Sequence, residues 1–309
     1  MENIIVTPRS LSKGNNPLLA RIKDAGYNLV FPNPGKQPTE DELVEVIGDA
    51  VGYIAGVEPI TAAVLEKAEK LKVISRNGTG IDNIDLETAR KKNIKIRKAD
   101  GANARGVAEL TIGLILAAVR DIVLSDRSLK SGIWNREKGF ELEDKTLGII
   151  GCGKIGQLVS RFALEFGMNV LAYDAYPNPD FHPSGNFRFD ALRAVLKNSD
   201  IVSLHCPPLP DKRPLIEAAE IATMKHGAII INTARQSLVD EKALLEALDS
   251  GILHCYAIDA FDKEPPDDLS LAKNERVIVT PHIGGFTEES IQRATEAAID
   301  NLLESLQEA

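Results

Sequence analysis

The chain has 309 residues, of which 44% are hydrophobic and 26% are charged, and its net charge is −9. This length exceeds that of a usual single domain, so two domains are expected in an ordinary soluble globular protein. The acidic balance argues against nucleic acid as a main partner, because phosphate contacts need clustered Lys and Arg. The acidic net charge does not exclude a small anionic substrate that binds in a local basic pocket.

The cysteines predict a reducing compartment. Cys152, Cys206 and Cys255 lie in or beside apolar, strand-like runs and show no metal-ligand spacing, so no metal site is expected. The N-terminus lacks the basic region and apolar stretch of a signal peptide. The longest apolar stretch, Leu110–Val119, is too short to span a bilayer. We therefore expect a cytoplasmic protein without a membrane partner.

Residues 1–100 alternate short apolar runs with segments of helical period. Repeated βα units predict a parallel sheet with helices on both faces. The predicted strands are Ile4–Val6, Leu29–Phe31, Val51–Ala55, Val73–Ser75 and Ile94–Ile96, and the predicted helices are Pro17–Ala25, Thr39–Ile47, Thr61–Leu71 and Leu86–Asn93. Thr39 is the expected N-cap of its helix, with Glu42 completing a capping box.

The strongly apolar segment Val107–Val123 predicts a helix buried on most sides, either in the core or at a subunit interface. The βα alternation then resumes as a six-stranded doubly wound pattern. Its predicted strands are Leu147–Ile150, Val170–Tyr173, Ile201–Leu204, Ala228–Asn232, Tyr256–Asp259 and Val277–Thr280, and its predicted helices are Gln157–Phe166, Phe189–Lys197, Glu217–Met224 and Glu241–Ala247. A last amphipathic helix, residues 287–306, is expected to pack on the first domain.

A glycine-rich turn follows the first strand of this second region, and Asp174 ends the second strand. In a strand–turn–helix, Gly151 permits a tight turn, Gly153 lets a pyrophosphate approach the backbone, and Gly156 lets the helix pack close to the strand. The helix N-terminus offers N–H groups to phosphates. Asp174 is placed to accept hydrogen bonds from an adenosine ribose and to repel a 2′-phosphate. The pattern predicts a bound dinucleotide, with NAD favoured over NADP; a turn without ligand is the alternative.

These elements predict an α/β fold with two doubly wound parallel-sheet domains. A Rossmann NAD-binding domain, residues 101–284, is expected to be inserted in a flavodoxin-like substrate domain formed by residues 1–100 and 285–309.

Three polar residues follow later strands of the NAD-binding domain, on the edge where ligands of such sheets bind. His282 is suited to exchange the hydroxyl proton that accompanies hydride transfer, and Glu264 to favour the imidazolium. Arg235 is suited to grip a substrate carboxylate. A 2-hydroxy acid offers that carboxylate beside that alcohol. Structural roles are the alternatives: a surface ion pair for Arg235, a loop acid for Glu264, and a capping or core histidine for His282.

In the first domain, Arg76–Asn83 follows a strand. Gly78 and Gly80 allow a tight turn whose exposed N–H groups form a nest for a carboxylate. A simple turn is the alternative.

Together these motifs resemble the NAD-dependent D-2-hydroxyacid dehydrogenases, most closely their D-3-phosphoglycerate dehydrogenase branch. The motifs, in this order, are Arg76–Asn83, Gly151–Gly156, Asn232–Arg235, Asp259 through Glu264-Pro265-Pro266, and Pro281–Gly285. The resemblance covers nearly the whole chain. It implies NAD-dependent interconversion of a D-2-hydroxy acid and its 2-keto acid.

The resemblance also implies roles for individual residues. Arg235 would bind the substrate carboxylate and carbonyl, and Glu264 with His282 would form the acid/base pair. The expected cofactor-binding residues are Gly151, Gly153, Lys154, Ile155, Gly156, Asp174, Cys206, Pro207, Thr233, Ala234, Asp259, His282 and Gly284; the expected substrate-binding residues are Arg76, Asn77, Gly78, Thr79, Asn103 and Arg235. Lys154 and Ile155 would touch the pyrophosphate through the backbone. The helix through Val107–Val123 would support a homodimer.

The sequence departs from the family pattern in three places. Gln236 and Ser237 replace the usual two glycines, and Asn103-Ala104-Arg105-Gly106 replaces the usual Asn-Ser-x-Ser. The segment Ile54–Glu58 lacks the arginine that helps phosphoglycerate dehydrogenases to hold the phosphate, and Arg76 and Arg105 are its candidate substitutes. The substrate therefore stays open among 3-phosphoglycerate, glyoxylate or hydroxypyruvate, and other small hydroxy acids. A non-enzymatic, NAD(H)-sensing protein like the corepressors of this superfamily is the alternative to an enzyme.

Overall fold

The computed structural model describes residues 1–308. The chain divides into two compact units. The first comprises Met1–Asn103 and the segment from Thr287 onward, and the second comprises Ala104–Phe286.

The first unit contains a five-stranded parallel sheet. Its strands are β1 (Asn3–Val6), β2 (Asn28–Val30), β3 (Ala50–Ala55), β4 (Val73–Arg76) and β5 (Lys95–Lys98). Their order in the sheet is β2-β1-β3-β4-β5, which is the flavodoxin-like order. The predicted fold class of this unit is confirmed.

Helices cover both faces of this sheet. They are α1 (Ala20–Asp24), which follows a 3-10 turn at Pro17–Leu19, α2 (Glu40–Ile47), α3 (Ala62–Glu66), α4 (Leu86–Lys91) and the C-terminal helix (Glu288–Gln307). The capping box of α2 is present: the Glu42 N–H donates to Thr39 Oγ1, and the Thr39 N–H donates to Glu42 Oε2. Predicted helices 61–71 and 86–93 end earlier, and α4 is closed by Asn93 in a left-handed conformation.

The C-terminal helix packs on the first unit, as its amphipathic pattern predicted. Its Ile299 and Leu302 lie in one buried cluster with Ile4 and Val51 of the sheet. A Cβ on Gly52 would come within 2.8 Å of Leu302 Cδ1, so the side chains of the helix pack closely over this strand position.

The second unit contains a seven-stranded parallel sheet. Its strands are β6 (Thr146–Ile150), β7 (Asn169–Tyr173), β8 (Phe187–Phe189), β9 (Ile201–Leu204), β10 (Ala228–Asn232), β11 (Leu253–Ile258) and β12 (Val277–Val279). Their order is β12-β11-β10-β9-β6-β7-β8, which is the doubly wound Rossmann order with one further strand. The prediction of six strands was wrong. The edge strand β8 is short, and Phe189 was assigned to the following helix.

Both faces of this sheet are buried, as in a doubly wound fold. Ile229 and Ile231 of β10 point into one cluster with helices α5 (Ala104–Val119) and α7 (Lys154–Glu165). Ile230 points into the other, with α8 (Leu192–Asn198) and α10 (Glu241–Asp249). Such alternation follows from the two-residue period of a strand. The remaining helices of the unit are α6 (Ile122–Lys130), α9 (Ala218–Ile221), α11 (Ser270–Lys273) and a 3-10 turn at Gln236–Leu238.

The apolar segment predicted as one helix, Val107–Val123, is two helices. α5 ends at Val119, and Asp121 adopts a left-handed conformation (φ = 49°) before α6 begins. Leu114 and Ile115 of α5 are buried in the core of the unit, whereas α6 has no buried residue. The first part of the segment is therefore a core helix. None of the described helices is long and apolar enough to cross a membrane.

Candidate active site

Close backbone packing fixes the glycine-rich turn after β6. Gly151 has a φ of 92°, and a Cβ there would lie 2.6 Å from the backbone nitrogen of Cys206, which follows β9. A Cβ on Gly156 would overlap the carbonyl oxygen of Gly151. A Cβ on Gly153 would meet no atom within 4 Å. The first and third glycines are therefore required by the fold, while the second faces open space that a ligand can enter.

Helix α7 begins directly after this turn, three residues earlier than predicted, with Gly153 as N-cap. Gly153 has no side chain that could cap the helix, and the backbone N–H groups of Lys154 and Ile155 lie in its first turn. The first N–H groups of a helix have no partner within the helix and favour an anion. The turn therefore offers donors where a pyrophosphate is expected.

Asp174 follows β7 and is joined to the glycine turn. Its Oδ2 accepts the N–H of Cys152 at 2.7 Å, and its Oδ1 accepts the N–H of Tyr176 at 2.8 Å. These bonds hold the carboxylate at the end of the strand beside the turn. Each oxygen retains acceptor capacity for a ribose hydroxyl.

The strand order reverses between β6 and β9, which is where doubly wound sheets bind ligands. Cys206 and Pro207 follow β9 at this point. The neighbouring His205 lies between Ser203 Oγ (2.9 Å from Nε2) and Thr233 Oγ1 (3.5 Å from Nδ1). Burial lowers the pKa of His205 to about 3, so the ring is neutral near pH 7.

The three thiols of this unit are buried (Cys152 and Cys255) or partly buried (Cys206). Burial raises the pKa of Cys152 and Cys255 to about 12 and that of Cys206 to about 11, so all three stay protonated. Among the described residues, no three His, Cys, Asp or Glu side chains are placed to hold a metal ion.

The loop after β10 is organised by Asn232, which is fully buried. Its Oδ1 accepts the N–H of Ala234 at 3.1 Å, and its Nδ2 donates to the carbonyl of Arg235 at 2.8 Å. Thr233 Oγ1 lies 3.2 Å from Thr111 Oγ1 of α5. Sequence analysis did not assign a role to Asn232 or Thr111. An Asn at a strand end followed by a turn is a recognisable signal for the first, whereas nothing local marks the second.

Gln236 and Ser237, which replace the usual glycines after Arg235, form hydrogen bonds with the loop that follows β11. The N–H of Asp262 donates to Gln236 Oε1 at 3.3 Å, and the N–H of Ser237 donates to Asp262 Oδ1 at 3.2 Å. Of these two contacts, only the one to Gln236 needs the side chain that a glycine would lack, because the Ser237 bond uses the backbone N–H.

Glu264 and His282 are brought together from two separate loops. His282 Nδ1 lies 2.7 Å and 2.8 Å from the two carboxylate oxygens of Glu264. Both side chains remain partly open to solvent, with 41% of His282 and 31% of Glu264 exposed. Because the carboxylate binds Nδ1, Nε2 is the ring nitrogen available to a ligand.

Burial alone would raise the pKa of Glu264, but three neighbours outweigh it. The hydrogen bond and charge of His282, the N–H of Phe261 (3.0 Å from Oε1) and the charge of Arg235 hold the pKa below its usual value. Arg235 is therefore close enough to act electrostatically on the pair. The three predicted catalytic side chains form one group within the second unit.

The loop that carries His282 is held by the buried carboxylate of Asp259. Asp259 Oδ1 accepts the Thr280 hydroxyl (2.6 Å) and the Ile283 N–H (2.8 Å), and Oδ2 accepts the Gly284 N–H (2.8 Å). The Asp259 carbonyl accepts the His282 N–H at 2.8 Å. His282 itself has a φ of 53°, a region that such residues seldom occupy. Asp259 was expected to line the cofactor, and its carboxylate is engaged by the catalytic loop.

The predicted substrate loop follows β4 in the first unit. Arg76 ends that strand and donates from Nη1 to the carbonyls of Ala55 (3.3 Å) and Asn77 (3.0 Å). The remaining residues Asn77, Gly78 and Thr79 are partly exposed, and so is Asn103. Arg105, the other candidate for holding a phosphate, forms an ion pair with Glu109 and lies over the ring of Phe162 at 4.7 Å.

Comparison with known proteins agrees with this architecture. Residues 112–284 match the family model "D-isomer specific 2-hydroxyacid dehydrogenase, NAD binding domain". The chain is 47% identical over 260 residues to a D-3-phosphoglycerate dehydrogenase of Methanocaldococcus jannaschii, covering 83% of this chain and 50% of that one. It is 40% identical over 274 residues to a hydroxypyruvate reductase of Thermotoga maritima, covering 86% of this chain and 88% of that one.

A solved structure shows the same fold with a cofactor. NAD⁺-bound 3-phosphoglycerate dehydrogenase of Entamoeba histolytica superposes with a TM-score of 0.82 at 28% identity, covering 99% of this chain and 95% of that one. The chain spans about half the length of several curated relatives, including the archaeal one, which it covers to 50%.

Fold and site define a two-unit α/β protein whose Rossmann unit carries a glycine-rich dinucleotide turn and a Glu–His pair at its strand ends. The chain belongs to the D-isomer-specific 2-hydroxyacid dehydrogenase family, and residues 112–284 are its NAD-binding domain. The predicted family and cofactor are confirmed.

Proposed function

We propose that this protein is an NAD-dependent oxidoreductase that interconverts a D-2-hydroxy acid and its 2-keto acid. The observation that carries the proposal is the hydrogen-bonded pair of Glu264 and His282, which stands with Arg235 on the unit that bears the glycine turn. A dinucleotide turn alone needs no acid/base pair, whereas alcohol oxidation does.

The chemistry at the pair follows from its geometry. NAD, when bound, accepts the hydride from the alcohol carbon. In that direction His282 Nε2 takes the hydroxyl proton, because Nδ1 is held by Glu264. The carboxylate stabilises the imidazolium that results. In the reductive direction the same nitrogen returns the proton to the carbonyl oxygen.

Arg235 orients the substrate in this proposal. A guanidinium can bind a carboxylate through two parallel hydrogen bonds, which fixes the plane of the acid. The buried Asn232 donates a hydrogen bond to the carbonyl of Arg235, so the backbone that carries the guanidinium is fixed to the core of the sheet. By the family resemblance, Arg76, Asn77, Gly78, Thr79 and Asn103 contribute substrate contacts.

The residues that we propose to bind the cofactor lie at or after the ends of strands in the second unit. We assign the pyrophosphate to the turn at Gly151, Gly153, Lys154, Ile155 and Gly156, and the adenosine ribose to Asp174. Cys206, Pro207, Thr233, Ala234, Asp259, His282 and Gly284 are the proposed lining of the remainder. The open space above Gly153 and the first turn of α7 support the assignment of the pyrophosphate.

The substrate candidates are 3-phosphoglycerate and its keto acid, or hydroxypyruvate and glyoxylate. Relatives with names of both kinds are similar to this chain. The deciding experiment is a panel of 2-keto acids with NADH, followed at the nicotinamide absorbance. Tight NADH binding without oxidation by any acid would contradict the enzyme and favour an NAD(H)-sensing protein.

We also propose a cytoplasmic homodimer. Apolar side chains stand exposed in and after α6, namely Ile122 (53%), Leu129 (57%), Ile133 (59%) and Trp134 (79%). Burial of such a surface against a second copy is favourable. Sedimentation equilibrium should give twice the chain mass, and a monomer at micromolar concentration would contradict the proposal.

A further inference from the structure

A buried polar cluster lies at the carboxyl edge of the sheet in the first unit. The strand order reverses between β1 and β3, the position where sheets of this kind bind ligands. Thr7 directly follows β1, and Gly56 directly follows β3. A ligand group bound at this edge would meet the hydroxyl of the first and the N–H of the second.

Glu58 already occupies these donors. Its side chain is 1% exposed, and its Oε1 accepts hydrogen bonds from the Thr7 hydroxyl, the Tyr53 hydroxyl (2.7 Å) and the Gly56 N–H (2.9 Å). Hydroxyl and backbone N–H donors that converge on one oxygen are the kind of set that binds an external oxyanion. Here the oxyanion belongs to the protein.

The loop is shaped to hold this carboxyl group inward. A Cβ on Gly56 would lie 2.6 Å from Glu58 Oε2, so any other residue there would displace the carboxyl group. Asn83 Nδ2 donates to the carbonyls of Glu58 (2.6 Å) and Gly56 (3.3 Å) and fixes the loop from outside. Burial, with the charge of Glu58 next, raises the pKa of Tyr53 well above its ordinary value, so its hydroxyl remains a donor.

We infer that Glu58 determines substrate specificity by filling, from within the chain, the anion-binding donors at the β1–β3 edge. This inference rests on the proposed function and narrows it. The second anionic group of a substrate cannot bind these donors, because they are already hydrogen-bonded to the buried carboxyl group of Glu58. The substrate class is therefore a small 2-keto acid with an uncharged end, such as hydroxypyruvate or glyoxylate, and not a phosphorylated one.

The first test uses the full-length wild-type protein. The values of kcat/KM with NADH are measured for hydroxypyruvate, glyoxylate and 3-phosphohydroxypyruvate. We expect kcat/KM for the better of the two unphosphorylated acids to exceed kcat/KM for 3-phosphohydroxypyruvate by about tenfold or more. A difference of this size is the effect of one hydrogen bond to a charged group. If the wild-type kcat/KM for 3-phosphohydroxypyruvate equals or exceeds that for the better unphosphorylated acid, the inference is overturned while the proposed function stays intact.

The second test compares two substitutions of the same residue. Glu58→Ala removes the acceptor that the three donors share, although the Gly56 N–H can still donate to Thr7 Oγ1 (3.0 Å) and the Thr7 hydroxyl to the Ile54 carbonyl (3.4 Å). We expect this variant to shift the kcat/KM ratio toward the phosphorylated acid by about tenfold and to introduce competitive inhibition by inorganic phosphate. Glu58→Gln is the matched control, because its amide oxygen still accepts the same bonds, and the ratio should change far less.

A folded Glu58→Ala protein with the wild-type ratio and no phosphate inhibition overturns the inference. Should this variant fail to fold, the wild-type ratio still decides. If no 2-keto acid oxidises NADH in the wild type, the proposed function itself fails, and the inference falls with it.

Discussion

At the scale of single residues, the site depends on pairs that are far apart in sequence and close in space. Glu264 and His282 come from loops after different strands, yet the ring nitrogen lies 2.7 Å from the carboxylate. The charge of Arg235 acts on the same carboxylate and contributes to its lowered pKa. The proposed catalytic role of these side chains depends on this proximity.

Removing the charge of Glu264 should change the pH dependence of the reaction. In Glu264→Gln the imidazolium of His282 loses the negative charge of its carboxylate partner, so the protonated ring that keto-acid reduction requires is less stabilised than in the wild type. We expect kcat to fall about 10² -fold near pH 7, with part of the loss recovered at acidic pH. The pH profile of kcat with NADH measures this.

Asp267→Asn is the matched control for that change. Asp267 is an exposed acid on the same loop, ion-paired with Lys263, and its loss should leave the profile unaltered. A Glu264→Gln enzyme with the wild-type profile would contradict the assigned acid/base pair.

Asp174 should set the choice of cofactor. Its carboxylate stands at the end of β7 beside the turn. In Asp174→Ser the repulsion of a 2′-phosphate is removed together with the ribose acceptor, so the ratio of kcat/KM for NADH over NADPH should fall about tenfold or more. Steady-state kinetics with both cofactors measures the ratio, and a wild-type enzyme indifferent to the 2′-phosphate would disprove the role.

At the scale of elements, the loops that follow two of the parallel strands are held by buried polar side chains, which lie at the end of the same strand or just after the neighbouring one. Asn232 shapes the loop after β10, and Asp259 shapes the loop after β12. Both are fully or almost fully buried, so their hydrogen bonds are well shielded from water. The ordered sheet thus fixes the backbone next to the proposed catalytic residues Arg235 and His282.

Asp259→Asn should loosen the loop of His282. An amide nitrogen cannot accept an N–H, so one of the bonds from Ile283 or Gly284 is lost at a cost of about 1–3 kcal/mol. We expect a lower thermal midpoint and a kcat reduced about tenfold, because the Glu264–His282 distance is no longer fixed.

The control for this change is Thr280→Val, which removes the hydroxyl that donates to the same carboxylate (2.6 Å) and to the carbonyl of Ile258 (3.4 Å) but leaves both backbone N–H bonds to Asp259. It should have the smaller effect on kcat. An Asp259→Asn protein that loses stability but keeps kcat and its pH profile would limit Asp259 to a structural role.

At the scale of the whole molecule, the partly buried His205 links stability to pH. The pKa of His205 is lowered to about 3 in the folded chain, against an unfolded value near 6.5. Between these values the unfolded state binds more protons, so the free energy of unfolding decreases as the pH falls through this window. Above it the histidine is neutral in both states and contributes no pH dependence.

His205→Gln should therefore make stability less dependent on pH. We expect the difference in urea midpoint between pH 8 and pH 5 to be smaller in this variant than in the wild type. His226→Gln, at an exposed histidine, should leave the difference unchanged. An equal difference in all three proteins would refute the link.

Much of the fold could be predicted because the strands and turns of a parallel sheet have recognisable local sequence patterns. Buried strands such as Ala228–Asn232 are continuous apolar runs, and the glycine turn is marked by three residues at fixed spacing. The short edge strand Phe187–Phe189 escaped prediction, since three residues carry too little periodicity. The break at Asp121 also escaped, because a left-handed residue between two helices has no reliable local signal.

The sequence by itself determined the family, the cofactor and the candidate catalytic residues, because these depend on residue types at strand ends and on local spacing. Only the tertiary structure decided which groups meet. It joined Glu264 to His282, turned the carboxylate of Asp259 toward Thr280–Gly284, and buried Glu58 among the donors at the β1–β3 edge. Such contacts join residues on different strands, so their geometry exists only once the sheets have assembled.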